Sequence, residues 1–315
     1  MNYLILGGCG FIGSKITKQL LNKNNKVLVF DVMWFGNPLK KHKNLKIFKG
    51  DVRNFSKFKY KNIDTIIHCA NIANDPSVEL NPTLSWEVNV LATKLIVESA
   101  IKNKVKKLIF FSSGSVYGLK KEKRVTEDLS LKPISVYNKT KMIAERVLIS
   151  YREKINIICL RPATVAGVSD RIRLDLTVNK LTFDAFYKKK IFVDGGKQVR
   201  PNIHIDDIPR IIEHFSDKSK KFKHNIYNIG FENLSILEVA KKIKKIIPAK
   251  IIINKAKDIR SYRQDSSRLL KTGFRPKYNV NYAIKELSEY FNNKNIKVFG
   301  INNFNIKKMK KLKFK

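Results

Sequence analysis

The first half of the chain alternates short apolar runs with longer segments in which apolar positions recur every three or four residues. The runs Tyr3 to Leu6, Lys26 to Phe30, Leu45 to Lys49, Thr65 to His68, Lys107 to Phe111 and Ile155 to Leu160 have the length and the apolar, β-branched content of buried strands. Between them, Ile12 to Asn22, Leu84 to Lys102 and Val136 to Tyr151 read as amphipathic helices. Parallel strands need crossover connections, and a helix is the usual crossover. The alternation therefore predicts an α/β fold, a doubly wound parallel sheet of the Rossmann type with helices on both faces. After about residue 165 the rhythm breaks up. A turn at Asp194-Gly195-Gly196, a strand near Tyr227 and helices at Ser235 to Ile247 and Tyr282 to Phe291 indicate a smaller, interleaved C-terminal lobe. The expected division is a Rossmann domain over 1–165 with a return near 200–230, a second lobe over 166–199 and 231–300, and a basic tail over 301–315.

Four of the chain's 14 glycines fall within residues 7 to 13, between the first strand and the first helix. Gly8, Gly10 and Gly13 satisfy G-x-G-x-x-G, and Gly7 adds a wider G-x-x-G-x-x-G spacing. In such a turn the first glycines permit the reversal, the middle one lets backbone approach a pyrophosphate, and the last allows close packing of helix on strand. The helix beginning at Phe11 and Ile12 then offers free N–H groups and a positive dipole end to the phosphates. Asp31 ends the second strand, where a carboxylate holds the ribose hydroxyls of NAD and repels the phosphate of NADP. NAD is the expected cofactor.

In "SVYNKTKMIAE" (135–145), Tyr137 and Lys141 stand four apart on a predicted helix and so share a face. An ammonium beside a phenol favours phenolate and lowers the tyrosine pKa towards neutrality, which makes Tyr137 a candidate general base.

Composition narrows the setting. A chain of 315 residues, 43% hydrophobic, can bury a substantial core. Cys9, Cys69 and Cys159 lie far apart, without partners at ligand spacing, so neither a disulfide framework nor a metal site is expected. The absence of a long apolar span points to a reduced, cytoplasmic protein. The 64 Lys+Arg against 26 Asp+Glu give a formal charge of +38, but the lysines are scattered and no helix-turn-helix, RNA-binding or zinc-finger pattern accompanies them. No specific nucleic-acid partner is expected. The tail "NIKKMKKLKFK" (305–315) could rest on an anionic membrane, although a frayed, solvated tail is the simpler expectation.

Taken together, these motifs resemble the extended short-chain dehydrogenases/reductases of the nucleotide-sugar epimerase/dehydratase family. The likeness runs from Met1 to about Phe291. It is carried by "GGCGFIGS" (7–14), "GDVRN" (50–54), "NVLAT" (89–93), "FSSGSVYG" (111–118), the Tyr137/Lys141 pair, "RPATVAG" (161–167) and "VRPNIHIDDI" (199–208). The resemblance implies that Asp51 and Val52 lie by the adenine, that Cys69, Ala70 and Asn71 lie by the centre of the cofactor, that Ser112 lies nearer its nicotinamide, and that Pro162 also touches the cofactor. It also implies that Asn89 supports the Tyr/Lys pair, and that Ser113 hydrogen-bonds the sugar oxygen and relays its proton to Tyr137. Family dehydratases carry an acidic pair after that serine. Here it is Gly114-Ser115, with Ser115 at the substrate, which disfavours dehydration.

For the substrate, the resemblance implies a nucleotide-diphosphate sugar, met by Thr164, by Asn179 and Arg200 at the diphosphate, and more remotely by Arg260 and Arg263. A guanidinium suits such bidentate phosphate contact. Arg171 and Arg173, in an Arg-rich stretch before Asn179, could read an acidic sugar or a further phosphate, or could pair with Asp170 and Asp175. The implied activity is an NAD-dependent 4-epimerase acting by transient oxidation at carbon 4, in a homodimer joined by the helices near 84–102 and 136–151, and serving polysaccharide biosynthesis. The alternatives are a carbon 4 dehydrogenase or 4-keto reductase, for example on a heptose or deoxysugar, and, more remotely, a non-catalytic NAD- or nucleic-acid-binding relative.

Overall fold

Successive residues of the first strand, β1 (Asn2–Leu6), face opposite ways: Tyr3 and Ile5 enter one hydrophobic cluster, Leu4 and Leu6 another. This period of two, buried on both sides, marks the middle of a covered parallel sheet. A computed structural model describes residues 1–255, 261–293 and 299–312. In chain order the further strands are β2 (Lys26–Asp31), β3 (Leu45–Lys49), β4 (Thr65–His68), β5 (Lys107–Phe111), β6 (Asn156–Pro162), β7 (Thr164–Ala166), β8 (Lys190–Asp194), β9 (Val199–His204), β10 (Ile226–Ile229), β11 (Glu232–Ser235) and β12 (Lys250–Asn254). The helices are α1 (Phe11–Asn22), α2 (Asp75–Val78), α3 (Pro82–Trp86), α4 (Ala92–Lys102), α5 (Val136–Ile149), α6 (Thr177–Lys188), α7 (Asp207–Ser216), α8 (Ile236–Ile246), α9 (Ser267–Leu270), α10 (Val280–Asn292) and α11 (Asn305–Lys311).

Seven strands form one sheet in the order β10-β6-β5-β4-β1-β2-β3, every pair parallel. The expected doubly wound α/β fold is therefore the fold observed. Ile16 and Leu20 of α1 and Ile211, Ile212 and Phe215 of α7 cover one face. Ile96 and Val97 of α4 and Ala144 and Leu148 of α5 cover the other. The order reverses between β1 and β4, and crevices at such switch points, beyond the carboxyl ends of the strands, are where ligands of these sheets bind.

A third cluster gathers Val178 and Leu181 of α6, Val239 and Ile243 of α8, and Ile284 and Leu287 of α10 around Ile191 of β8. Beside it stand a three-stranded sheet, β11-β9-β7, and the pair β12-β8.

Three expectations change. The helix predicted over Leu84 to Lys102 is interrupted at Glu87–Leu91 by a wider π turn that buries Asn89. Helices α6 and α7 are not among the expected elements: Asn179, Lys180, Thr182 and Asp184 interrupt the apolar positions of α6, and α7, although Ile208, Ile211, Ile212 and Phe215 recur at helical spacing, carries Pro209 in its first turn. The tail expected to fray over 305–315 is ordered across 305–312, and 313–315 lie outside the described residues. Lys307, Lys310 and Lys311 are exposed, but Asn305 and Met309 are buried, so the lysine count conceals an inward face. Among the described residues no helix is long and apolar enough to cross a membrane.

Candidate active site

The glycine turn closes on itself through backbone alone. Gly7 has φ +81°, and a Cβ added there would stand 2.7 Å from the Ala70 nitrogen. A Cβ on Gly13 would stand 2.1 Å from the Gly7 carbonyl oxygen, so only glycine lets α1 start so close to β1. Gly10 is the N-cap of α1, and no side chain caps the helix. The first-turn N–H groups of Phe11, Ile12 and Gly13 lack intrahelical partners, as at every helix start, and sit at the positive end of the helix dipole. Gly7, Gly10, Phe11, Ile12 and Gly13 line one wall of a cleft of about 470 Å³.

A narrower slot of about 120 Å³ opens beside it, lined by Asp31, Trp34, Phe35, Asp51, Val52 and Ala70 among others. Burial raises the Asp31 pKa, while the two backbone N–H groups that its carboxylate accepts draw it back: Cys9 at 2.9 Å and Met33 at 2.7 Å. Asp51 is held by the Arg53 guanidinium at 2.8 Å, which also reaches Glu87 at 2.8 Å. Apolar walls for a base and a carboxylate for sugar hydroxyls are the composition of a nucleoside site.

Ser112, Ser113, Ser115, Tyr137 and Pro162 line the cleft itself. Ser135 caps α5 by accepting the Asn138 N–H at 3.2 Å, and its hydroxyl donates to the Asp75 carboxylate. Tyr137 follows in the first turn. Asn89 accepts the Ile72 N–H at 2.8 Å and donates to Thr140 Oγ1 at 3.1 Å, and Thr140 donates to the Tyr137 carbonyl at 2.8 Å. The π turn is thereby tied to the helix that carries the phenol. Ser113 Oγ lies 2.7 Å from Ser115 Oγ and accepts the Ser115 N–H at 3.2 Å.

The electrostatics differ from the expectation for the Tyr137/Lys141 pair. Lys141 is fully buried. Its Nζ donates to the Phe111 carbonyl at 2.7 Å and lies 4.7 Å from the centre of the Phe110 ring. Burial pushes its pKa down to about 7. Burial pushes the Tyr137 phenol up to about 12; the Ser113 hydroxyl, which hydrogen-bonds it, draws it back, Asp75 raises it and Arg173 lowers it. Among the described residues Arg173 lowers the phenol's pKa, while the Lys141 amine is committed to the Phe111 carbonyl.

The facing wall comprises Thr164, Arg171, Arg173, Asp175, Arg200, Tyr262 and Asn305. Two expected substrate residues stand elsewhere. Asn179 is buried behind the wall, bonded to both backbone groups of Gly167 at 3.0 Å and to the Arg173 carbonyl at 2.9 Å, which makes it a staple of the loop 167–173. Arg263 is exposed and lines a surface hollow with Lys123 and Arg124, because the strand-like run through Tyr262 and Gln264 turns alternate side chains outward. Arg260 lies outside the described residues. Conversely, Phe35, Asp75, Tyr262 and Asn305 line the cleft without having been singled out. Phe35, close behind Asp31, was within reach of a reading by position; Tyr262 and Asn305 carry no local signal.

Among the described residues, three buried polar atoms around the cleft have no hydrogen-bond partner: Ser112 Oγ, Asn71 Oδ1 and Arg171 Nε. Buried polar groups are almost always satisfied. Together with a glycine cradle that tolerates no side chain, they fit a long polar ligand with anionic phosphates. NAD is such a ligand. Gly7 to Gly13 and Asp31 would hold it, with Asp51, Val52, Cys69, Ala70 and Asn71 around its nucleoside half.

Comparison with known proteins agrees with this geometry. Residues 3–230 match the family model "NAD dependent epimerase/dehydratase family". The UDP-glucose 4-epimerase of Lactobacillus helveticus is 29% identical over 307 residues, spanning 88% of this chain and 93% of that protein. A putative UDP-glucose 4-epimerase of Methanocaldococcus jannaschii is 27% identical over 305 residues, spanning 93% and 99%. Among solved structures, a UDP-glucuronic acid 4-epimerase of Bacillus cereus in complex with UDP-glucuronic acid and NAD superposes with a TM-score of 0.81 at 26% identity, covering 92% of this chain and 98% of that one.

Proposed function

The chain belongs to the NAD-dependent epimerase/dehydratase family, and from that premise we propose that it is a nucleotide-sugar 4-epimerase in which Tyr137 handles the proton of the 4-hydroxyl. The observation that carries this is the meeting of Ser113 and Tyr137, on one cleft, with the glycine turn, and with Gly114-Ser115 where an elimination would want an acid and a base. UDP-sugar 4-epimerases among its relatives support the same choice of substrate class.

Bound NAD supplies a hydride acceptor that gives the hydride back. Everything else falls to side chains. Ser113 Oγ, beside Tyr137 on the cleft, relays the 4-hydroxyl proton: it takes up that proton as it gives its own to the Tyr137 phenolate, and the phenol stores it until the sugar is reduced again. With protein groups alone the phenol keeps its proton, since its pKa is near 12. A cation brought beside it is required to release that proton. Lys141 fixes the end of β5 through the Phe111 carbonyl, from a buried position that lines neither the cleft nor the slot. Arg200 and Thr164 on the facing wall would hold the diphosphate and sugar of the nucleotide.

Exposed Leu80, Trp86 and Leu91, on the segment leading into α4, support a homodimer through that face. We assign the first lobe to the cofactor, the cluster around α6, α8 and α10 to the substrate, and the cytoplasm as the compartment. The test is incubation with UDP-, GDP-, dTDP- and CDP-sugars, following carbon 4 configuration by NMR and NADH by absorbance. Inversion without net NADH is expected, and Tyr137→Phe should lower kcat by about 10²–10⁴-fold while cofactor stays bound. Net NADH without inversion would establish a dehydrogenase instead.

A further inference from the structure

We propose that residues 301–312 form a clasp over the cofactor cleft, and that Arg171, positioned by this clasp through Asn305, donates its free Nε–H to the diphosphate of the bound dinucleotide. The inference rests on the reading of the cleft as an NAD site.

The segment spans the cleft by touching both sides. Phe304 packs against the cluster of α6, α8 and α10, whereas Met309 and Leu312 pack into the cluster that holds Val52, Ile72 and Val88. Its polar atoms are spent on the loop between β7 and α6. The Asn303 side chain donates to the Ile172 carbonyl at 3.3 Å, and its own carbonyl accepts the Leu174 N–H at 2.9 Å. The Asn305 N–H donates to Asp175 Oδ2 at 3.2 Å, and Asn305 Oδ1 accepts from Arg171 Nη2 at 2.6 Å. Asn305 and Ile306 are themselves part of the cleft lining.

Arg171 and Arg173 share that loop but are served differently. Arg173 has a carboxylate, Asp175, at 2.9 Å. Arg171 is 5% exposed, stacks at 4.1 Å on the Phe35 ring, and has among the described residues only the neutral Asn305 as a hydrogen-bond acceptor. Its Nε is buried without a partner. A guanidinium remains charged in proteins, and Arg171 has no carboxylate at hydrogen-bond distance among the described residues, Asp175 and Asp31 attracting it only from further off, which leaves its burial costly. An anion in the cleft would remove that cost. Phe35 lines both the cleft and the nucleoside slot, and Asp31 in that slot attracts the same guanidinium. These neighbours assign Arg171 to the dinucleotide and not to the sugar nucleotide.

The readout is the rate at which bound NADH leaves when chased with excess NAD, followed by fluorescence and needing no turnover. Arg171→Gln should speed release by about tenfold or more, as should deletion from Ile301 onward. Arg171→Lys, which keeps the charge and loses the planar fork, should recover part of the effect. Asn305→Ala should speed release less, and should add nothing to Arg171→Gln, because Asn305 acts through Arg171. Should the deletion fail to fold, as a melting curve would reveal, the Asn305→Ala and Arg171→Gln cycle decides alone. Unchanged release in Arg171→Gln overturns the proposal. So does a raised KM for UDP-sugar with release unchanged, which would give Arg171 to the substrate. Wild-type protein that binds no NAD at all would instead bring down the reading of the cleft on which the clasp depends.

Discussion

The glycine wall of the cleft works with backbone and the wall across from it works with side chains. On the first, Gly7 and Gly13 hold a turn that a Cβ at either position would break, and the elements concerned are neighbours in sequence, β1 running through the turn into α1. On the second, Thr164, Arg173, Arg200, Tyr262 and Asn305 come from separate stretches of the chain. A backbone site takes the part of the ligand that never varies. A wall assembled from single side chains can change one contact without disturbing the others, which is where substrate choice can be tuned.

If that contrast is right, damage to the first wall is close to all-or-none and damage to the second is graded. Gly13→Ala is the severest test. Its Cβ meets the Gly7 carbonyl oxygen at 2.1 Å, a backbone atom that cannot turn aside. NAD affinity should fall by about a hundredfold or more, with a lower melting temperature, as measured by calorimetric titration and thermal unfolding. An equal loss of NAD affinity from Thr164→Ala would break the comparison. Arg200→Leu comes next. Losing a charge-assisted bond of about 1.5–3 kcal/mol should raise KM for the nucleotide sugar by roughly 10–100-fold, with kcat less affected and NAD retention unaltered. Asn179→Ala sharpens the picture of that wall. Because Asn179 staples Gly167 and the Arg173 carbonyl, its loss should cost about 1–3 kcal/mol of stability with only a small change in KM. A KM effect as large as that of Arg200→Leu would return Asn179 to the diphosphate, where its resemblance to family sites had put it.

The same division explains what could be read in advance. The strands from β1 to β6 are short apolar runs, buried except for the edge strand β3, and the turn between β1 and α1 is dictated by residues a few positions apart, so the seven-stranded fold and the nucleotide end were legible. The facing wall depends on which distant segments meet. Nothing near Asn305 in the chain indicates that it will bond Arg171 from 134 positions away, and a lysine-rich composition hides the buried Met309. Asn179 was misplaced for a related reason: a motif fixes which residue stands in the loop, but only packing decides whether its amide faces ligand or backbone. The electrostatics of Tyr137 were misjudged because helical spacing brings Lys141 to the same face without saying which acceptor its amine will take.

That amine gives the smallest effect and the one most specific to its surroundings. Burial holds the Lys141 pKa near 7, against about 10.5 for the group in an unfolded chain. Below pH 7 both states carry the proton, and the buried charge weighs fully against folding. Between pH 7 and about 10.5 the folded state has released the proton that the unfolded chain still holds, so this residue's contribution to stability rises with pH, by at most about 1.4 kcal/mol per unit. Other groups titrate in the same range, Cys9 and Tyr137 with pKa values pushed up to about 12, and their effect runs the other way. The difference between wild type and Lys141→Met cancels them to first order. Denaturant unfolding of both proteins from pH 6.5 to 9 should therefore show the wild type gaining on the variant as pH rises. Parallel curves would mean that the Phe111 carbonyl, at 2.7 Å, holds the ammonium well enough to keep its pKa near the ordinary value, and Lys141 would then enter the cofactor's neighbourhood as a cation throughout.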